Sequence, residues 1–271
     1  MELNGKVALV LGAIKGIGKG IALALAEKGV DVALPYFDWK ESLPDLKTDF
    51  TEAGHSPLIV PVDLCDTGAV AGMVDQVIDR FGRLDILVNN IERGGWPVVH
   101  GPYVREQWDL EMNTTLRAKW WVYRACLPHL KASGDGAVIN ISSIAGLVGR
   151  SGPAGRIFND GYSAANRAVS SFTETWAREA APTVRVNEVM LGIFETRHGP
   201  GTRGWGLLSE SQRNEIVDHT PLKRLGAIAD VVRAVLFILR DASFMTGATL
   251  RIDGGYVLGC EYIEPLPQGV I

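Results

Sequence analysis

Short apolar runs alternate with segments whose apolar residues recur at helical spacing, and this alternation organises almost the whole chain. Val7 to Leu11 reads as a strand, followed by glycine turns and a helix over Ile17 to Lys28. Val30 to Leu34 and Pro57 to Val62 supply two more strands, and a helix follows from about Thr67 to Phe81. Leu84 to Val88 and Ala137 to Ile141 are further strand runs. A helix then begins near Tyr162, followed by a strand around Arg185 to Val189, a helix from Ala229 to Leu239 and a strand around Thr249 to Ile252. Strands that alternate with helices require a mostly parallel sheet covered on both faces. The expected fold is therefore α/β, a single-domain Rossmann-like doubly wound parallel sheet flanked by helices over residues 1–258, with 259–271 as a C-terminal tail. Two stretches resist the layering, Gly149 to Gly161 and Gly192 to Ser209, and read as loops near a site.

Composition narrows the function classes. A chain of 271 residues with 46% apolar content can bury a substantial core. Its 27 basic and 31 acidic residues are interspersed, giving a formal charge of -4 without a basic block, which argues against nucleic-acid binding. Cys65, Cys126 and Cys260 form no zinc spacing, the five histidines make no ligand set, and no metal is expected. With no signal-peptide pattern and no apolar run long enough to span a bilayer, a soluble, cytoplasmic protein is expected.

The chemistry starts at Gly12-Ala13-Ile14-Lys15-Gly16-Ile17-Gly18, placed between the first strand and the first helix. Small residues there let backbone amides and the helix N-terminus approach a phosphate pair. At this point the chain resembles the classical branch of the short-chain dehydrogenase/reductase family, from about residue 3 to Gly255. The family's Thr-Gly-x-x-x-Gly-x-Gly pattern is met except that Leu11 replaces threonine. Asp63 with Leu64 in the adenine-binding segment, Asn89-Asn90, Asn113 and Ser143 extend the match. Asn90-Ile91-Glu92 departs from the usual Asn-Ala-Gly and brings a charged side chain into the cofactor cleft. Leu191-Gly192 through Thr196 matches a Pro-Gly-x-x-x-Thr segment that closes on the nicotinamide.

The resemblance implies an NAD(P)(H)-dependent oxidoreductase in which Tyr162 is the acid/base, Ser143 orients the substrate oxygen and Asn113 anchors a water relay. A lysine one helical turn after the tyrosine would bind the nicotinamide ribose and stabilise phenolate. Asn166 stands there, able to hydrogen-bond ribose but carrying no positive charge. A phenol has a pKa near 10 in water, so Tyr162 needs electrostatic help. Arg167 is rotated away around the helix, while Arg150 or Arg156 could enter from the preceding loop. Lys15 beside the glycine turn favours NADP(H); Asp38 keeps NAD(H) as the alternative, and Phe37 supplies no charge.

Reversible ketone/alcohol interconversion is the leading reading. Reduction of an activated carbon–carbon double bond and a catalytically silent nucleotide-binding protein are the alternatives. Trp96, Tyr103, Phe158, Phe194 and Trp205 fall in segments that the resemblance puts around a substrate mouth and favour an aromatic or alicyclic carbonyl or alcohol. Arg150, Arg156, Arg197 and Arg203 leave room for a carboxylate or CoA-linked substrate, and His198 reads as a loop residue. Pro221 to Gly226, Thr246-Gly247 and Asp253-Gly254-Gly255 continue the family match toward the subunit-packing region, which implies a homotetramer, with a dimer as the alternative.

Overall fold

A computed structural model describes residues 1–92, 105–196, 205–261, 263–266 and 269. Seven parallel strands form one sheet in the order β3-β2-β1-β4-β5-β6-β7. They are β1 (Val7–Val10), β2 (Asp31–Tyr36), β3 (Leu58–Pro61), β4 (Ile86–Asn89), β5 (Gly136–Ser143), β6 (Val184–Leu191) and β7 (Thr249–Ile252). Strand order reverses between β1 and β4, so the crossovers leave in opposite directions there and open a crevice at the carboxyl ends of the strands.

Helices cover both faces. On one side α1 (Gly16–Ala26) and α9 (Ile228–Arg240) pack with α2 (Leu43–Glu52) on Ala8, Val10, Ile86, Val88 and Ile139. On the other, α3 (Thr67–Phe81), α5 (Ala118–Ala132) and α7 (Asp160–Ala180) enclose Leu9, Leu87, Val138 and Val186. The alternation of strand residues between these two clusters is the period of two expected of a sheet. Because both faces are covered, the strands read as continuous apolar runs. Three smaller helices complete the layers: α4 (Arg105–Glu111), α6 (Ala145–Val148) and α8 (Glu210–His219).

The doubly wound parallel sheet expected from the sequence is the observed fold. Of the nine helices among the described residues, α2, α4, α5, α6 and α8 were not assigned from the sequence pattern. Helix α2 offers only Leu46 and Phe50, one turn apart, as its buried stripe, too thin a periodic signal to stand out. In α5 the aromatic residues and Pro128 blur the apolar period. The last is α8, which buries only Ile216 and is held at its start by a Ser209/Gln212 capping box. Strand β5 runs two residues further than the apolar pattern implied, because Ser142 and Ser143 continue its pairing with β6.

Asp85, buried just before β4, accepts bonds from the Val7 amide at 2.9 Å and from Arg83 at 2.8 and 2.6 Å, with Lys6 at 3.2 Å. Burial alone would raise its carboxyl, but the Arg83 hydrogen bonds, the Val7 amide and Lys6 together hold it below the usual carboxylate range. A depressed folded pKa adds stability that is complete above the unfolded value near 3.9 and is lost as pH falls through the folded value. Asp85→Asn is therefore expected to cost about 3 kcal/mol near neutrality. In urea unfolding, the gap from the parent should narrow as pH drops below about 4; a constant gap would contradict the assignment.

Candidate active site

At the reversal point the chain leaves β1, turns through Gly12 and Gly16 at φ +63° and +62°, and enters α1. A Cβ at Gly12 would overlap the Asn90 carbonyl oxygen, and one at Gly18 would overlap the Gly12 carbonyl oxygen. Asn90 Nδ2 closes the junction by donating to the Gly12 carbonyl at 3.3 Å. Lys15 occupies the N-cap of α1 without a capping side-chain bond, and no acidic residue lies in the first turn. Amides at such a helix start, with the positive end of the dipole behind them, suit a phosphate group.

A cavity of about 740 Å³ opens from this turn and runs along the strand ends to Tyr162. Its lining brings together most of the residues singled out in the sequence: Gly12, Lys15, Gly16 and Ile17 from the turn, then Phe37, Asp63, Leu64 and Asn90. Asn113, Ser143, Tyr162, Gly192 and Thr196 continue it at the other end. Gly18, Asn89 and Asn166 are not part of the lining. Gly18 lies beneath the turn. The Asn89 side chain faces the opposite layer, where its amide donates to Asn140 at 2.8 Å and Asn140 donates to Thr173 at 2.9 Å. A cradle that only glycine fits, a bare helix N-terminus and an elongated cleft have the shape and donors that a dinucleotide requires.

At the adenine end the sequence had not singled out Trp39, whose ring lies 3.0 Å below Lys15 Nζ. This contact holds the ammonium at the end of β2 beside Asp38, which also lines the cavity.

The catalytic end is assembled by helix starts and turns. Asn159 caps α7, its Oδ1 accepting from the Tyr162 amide at 2.8 Å, and fixes the tyrosine in the first turn. Ser143 ends β5 with its Oγ accepting from the Ala145 amide at 3.1 Å. Asn113 sits in a π-helical segment, Met112–Arg117, between α4 and α5. Tyr256 anchors the loop ahead of α7, its hydroxyl accepting from the Ala154 amide at 2.6 Å.

Two features change the electrostatic picture. The Tyr162 hydroxyl donates to Glu92 Oε2 at 2.6 Å, so the glutamate at the position of the family's small residue reaches this hydroxyl directly. Asn166 is fully buried; its Nδ2 donates back to the Tyr162 carbonyl at 2.9 Å, and its Oδ1 has no partner. The two arginines proposed as substitutes are engaged elsewhere, Arg156 lying 2.6 Å from Glu215 and Arg150 3.7 Å from exposed Asp160; Arg167, set aside as rotated away, is exposed. Of the five aromatic candidates, Phe194 lines the cavity, while Phe158 and Trp205 pack with Tyr162 in a separate buried cluster. Trp96, Tyr103, Arg197, His198 and Arg203 lie outside the described residues.

Comparison with known proteins agrees with this geometry. The family model described as enoyl-(acyl carrier protein) reductase matches residues 12–257. A 3-oxoacyl-(acyl-carrier-protein) reductase of Thermotoga maritima is 32% identical over 95% of this chain and 100% of its own length. The chain belongs to the short-chain dehydrogenase/reductase family. A second short-chain dehydrogenase/reductase relative, the cis-4-hydroxycyclohexanecarboxylate dehydrogenase of Sinomonas cyclohexanicum, is 34% identical over 93% of this chain and 96% of its own. A solved structure of a candidate short-chain alcohol dehydrogenase from Sinorhizobium meliloti 1021 superposes with a TM-score of 0.83 at 28% identity, covering 96% of this chain and 99% of that one. Among the described residues no helix is long and apolar enough to cross a membrane, and no group of His, Cys, Asp or Glu could hold a metal ion.

The crowding at Gly12 gives a direct test. Gly12→Ala meets both a left-handed backbone and the Asn90 carbonyl, and is expected to cost about 3 kcal/mol by urea unfolding. Calorimetry should show dinucleotide binding lost at temperatures where the variant is still folded; full-strength binding would show that the phosphates lie elsewhere.

Proposed function

We propose that the protein is an NAD(P)(H)-dependent oxidoreductase that interconverts a ketone and a secondary alcohol, with Tyr162 as acid/base. The observation that carries this reading is the single cavity that joins the glycine turn to Ser143 and Tyr162. A dinucleotide held along the glycine turn would supply the hydride for reduction of the carbonyl carbon and accept it in oxidation. Tyr162 gives its hydroxyl proton to the carbonyl oxygen and, in the reverse direction, takes it from the alcohol. Ser143 donates a hydrogen bond to the same oxygen and fixes its direction. To act, Tyr162 exchanges its bond to Glu92 for one to the substrate oxygen, so Glu92 and substrate compete for the same donor. Asn166, tied to its own helix, orients Tyr162 without contributing charge.

The names of the two curated relatives denote ketone or alcohol chemistry, which favours it over reduction of a carbon–carbon double bond, the reaction named by the family model. They also favour an acyl or alicyclic substrate bearing a carboxylate or thioester. NADP(H) is the preferred cofactor, because the Lys15 ammonium is held at the end of β2, where a 2′-phosphate would lie. Exposed Phe237 and Phe244, together with the open edge of β7, support assembly as a homotetramer.

NADPH and NADH oxidation against cyclic ketones, ketoacids, 3-oxoacyl thioesters and enones, with product identification, tests the reading. Ketone turnover should fall about a hundredfold or more in Tyr162→Phe. Tight cofactor binding without product would favour a silent nucleotide-binding protein, the alternative motivated by the Glu92 contact and by Asn166. Separately, Lys15→Ala should raise KM for NADPH about tenfold and leave NADH unchanged; equal effects on both would remove the case for NADP(H).

A further inference from the structure

Proton exchange through a phenol is helped by a nearby cation, and the helix that carries Tyr162 brings none at Asn166. Among the described residues one lysine is fully buried, and no arginine is. Lys119, 1% exposed, lies in the first turn of α5. Its Nζ donates to the Ile141 carbonyl at 2.6 Å, two residues before Ser143 on β5. Ala118, its neighbour, and Ile141 both line the cavity, so the ammonium sits immediately behind the cavity wall. Two carboxylates attract it, Glu92 and Glu188. Glu92 is the group that holds the Tyr162 hydroxyl. Glu188 is fully buried on β6 and accepts from Ser142, from Ser170 at 3.0 Å and from Thr249 at 2.6 Å, so its lone pairs are already committed to hydroxyls.

We propose that Lys119 supplies from α5 the positive charge that Asn166 does not supply from α7, offsetting Glu92 so that Tyr162 can release and regain its proton. Lys119 acts through Glu92 and is a positioning residue. An ammonium carries three protons and the Ile141 carbonyl takes one, while the buried Asn166 Oδ1 lacks a donor. Other titratable groups lie around this region. Glu111 at the end of α4 accepts from Asn159 at 2.6 Å, Arg117 is exposed, and Glu179 on α7 pairs with Arg124 at the far end of the layer. Burial pulls the Lys119 amine down, while Glu92 and Glu188 act in the opposite sense and favour its charged form.

The kinetic side of this inference rests on the oxidoreductase reading, whereas the ionisation of Tyr162 does not. The experiment follows both in the full-length protein. Lys119→Met replaces the buried ammonium with an apolar side chain of similar length; because it leaves Glu92 and Glu188 without their cation, it is expected to lower the thermal midpoint while the protein still folds. The pH at which Tyr162 ionises is read as an ultraviolet difference titration against the same protein carrying Tyr162→Phe. Lys119→Met should move that ionisation upward by about one pH unit and lower kcat for alcohol oxidation near neutrality about tenfold, with KM nearly unchanged. Adding Asn166→Lys to Lys119→Met should restore both.

An unchanged ionisation and pH profile in folded Lys119→Met would overturn the proposal. A shift that Asn166→Lys leaves in place would overturn it too, since packing and not charge would then have been lost. A shifted ionisation in a protein that turns over no substrate supports the charge pairing and sinks the oxidoreductase reading. If Lys119→Met does not fold, Glu92→Gln decides: removal of the opposing carboxylate should lower the ionisation pH of Tyr162, and no movement counts against the pairing.

Discussion

The reversal of strand order between β1 and β4 is the constraint on which everything else rests. A parallel sheet must be covered on both faces, and crossovers in opposite directions from neighbouring strands cannot cover the gap between them. That gap can stay narrow only if backbone meets backbone, which is what the glycine turn and Asn90 achieve. Any side chain at Gly12 would push β1 and β4 apart at their carboxyl ends. The same junction delivers Ile91 and Glu92 into the crevice, so the packing that closes the sheet also decides which side chains enter the cavity.

The far end of the crevice is governed by charge taken out of water. Glu188 on β6 and Lys119 on α5 are fully buried and Glu92 after β4 partly so, and the cost of removing each from water is offset by hydrogen bonds from hydroxyls or to a carbonyl. Asn166 fits this arrangement as a neutral spacer: its Nδ2 donates to the Tyr162 carbonyl, and the close approach of Gly146 to the α7 backbone, where an added Cβ would lie 2.8 Å from the Arg167 amide, leaves little freedom around it. Tyr162 is thus held by packing and a capped helix start, while its electrical surroundings come from residues remote in sequence.

What could be read from the sequence follows the same division. The central strands β1 and β4 were legible because both faces are buried and each is an apolar run, whereas β7 shows only Leu250 and Ile252 in alternation with exposed Thr249 and Arg251. Gly12 was legible because backbone crowding restricts its residue type, whereas Ser143 and Tyr162 were singled out through the family resemblance. Helix α2 escaped because Leu46 and Phe50 alone carry its buried side. Glu92 could be recognised as out of place in a cofactor cleft, but its bond to Tyr162 spans 70 positions and exists only in the fold. Asn89 illustrates the opposite error: the motif is present, yet strand alternation turns its side chain toward Asn140 and away from the cavity. Lys119 reads as an ordinary solvated helix lysine, since nothing adjacent in the chain announces its burial.

The π-helical segment at Met112–Arg117 determines why Lys119 is buried at all. Such a segment fits one extra residue into a turn and so advances the phase of everything downstream by about 100° relative to a continuous α-helix. Lys119 is the second residue after it, and from there the buried stripe continues through Val122, Tyr123, Cys126 and Leu130. The stripe is geared to the bulge. Were a single residue lost between Asn113 and Lys119, the following helix would turn by that angle and trade its apolar stripe for a neighbouring face, carrying the ammonium away from β5. The length of this short stretch is therefore itself an electrostatic parameter of the site.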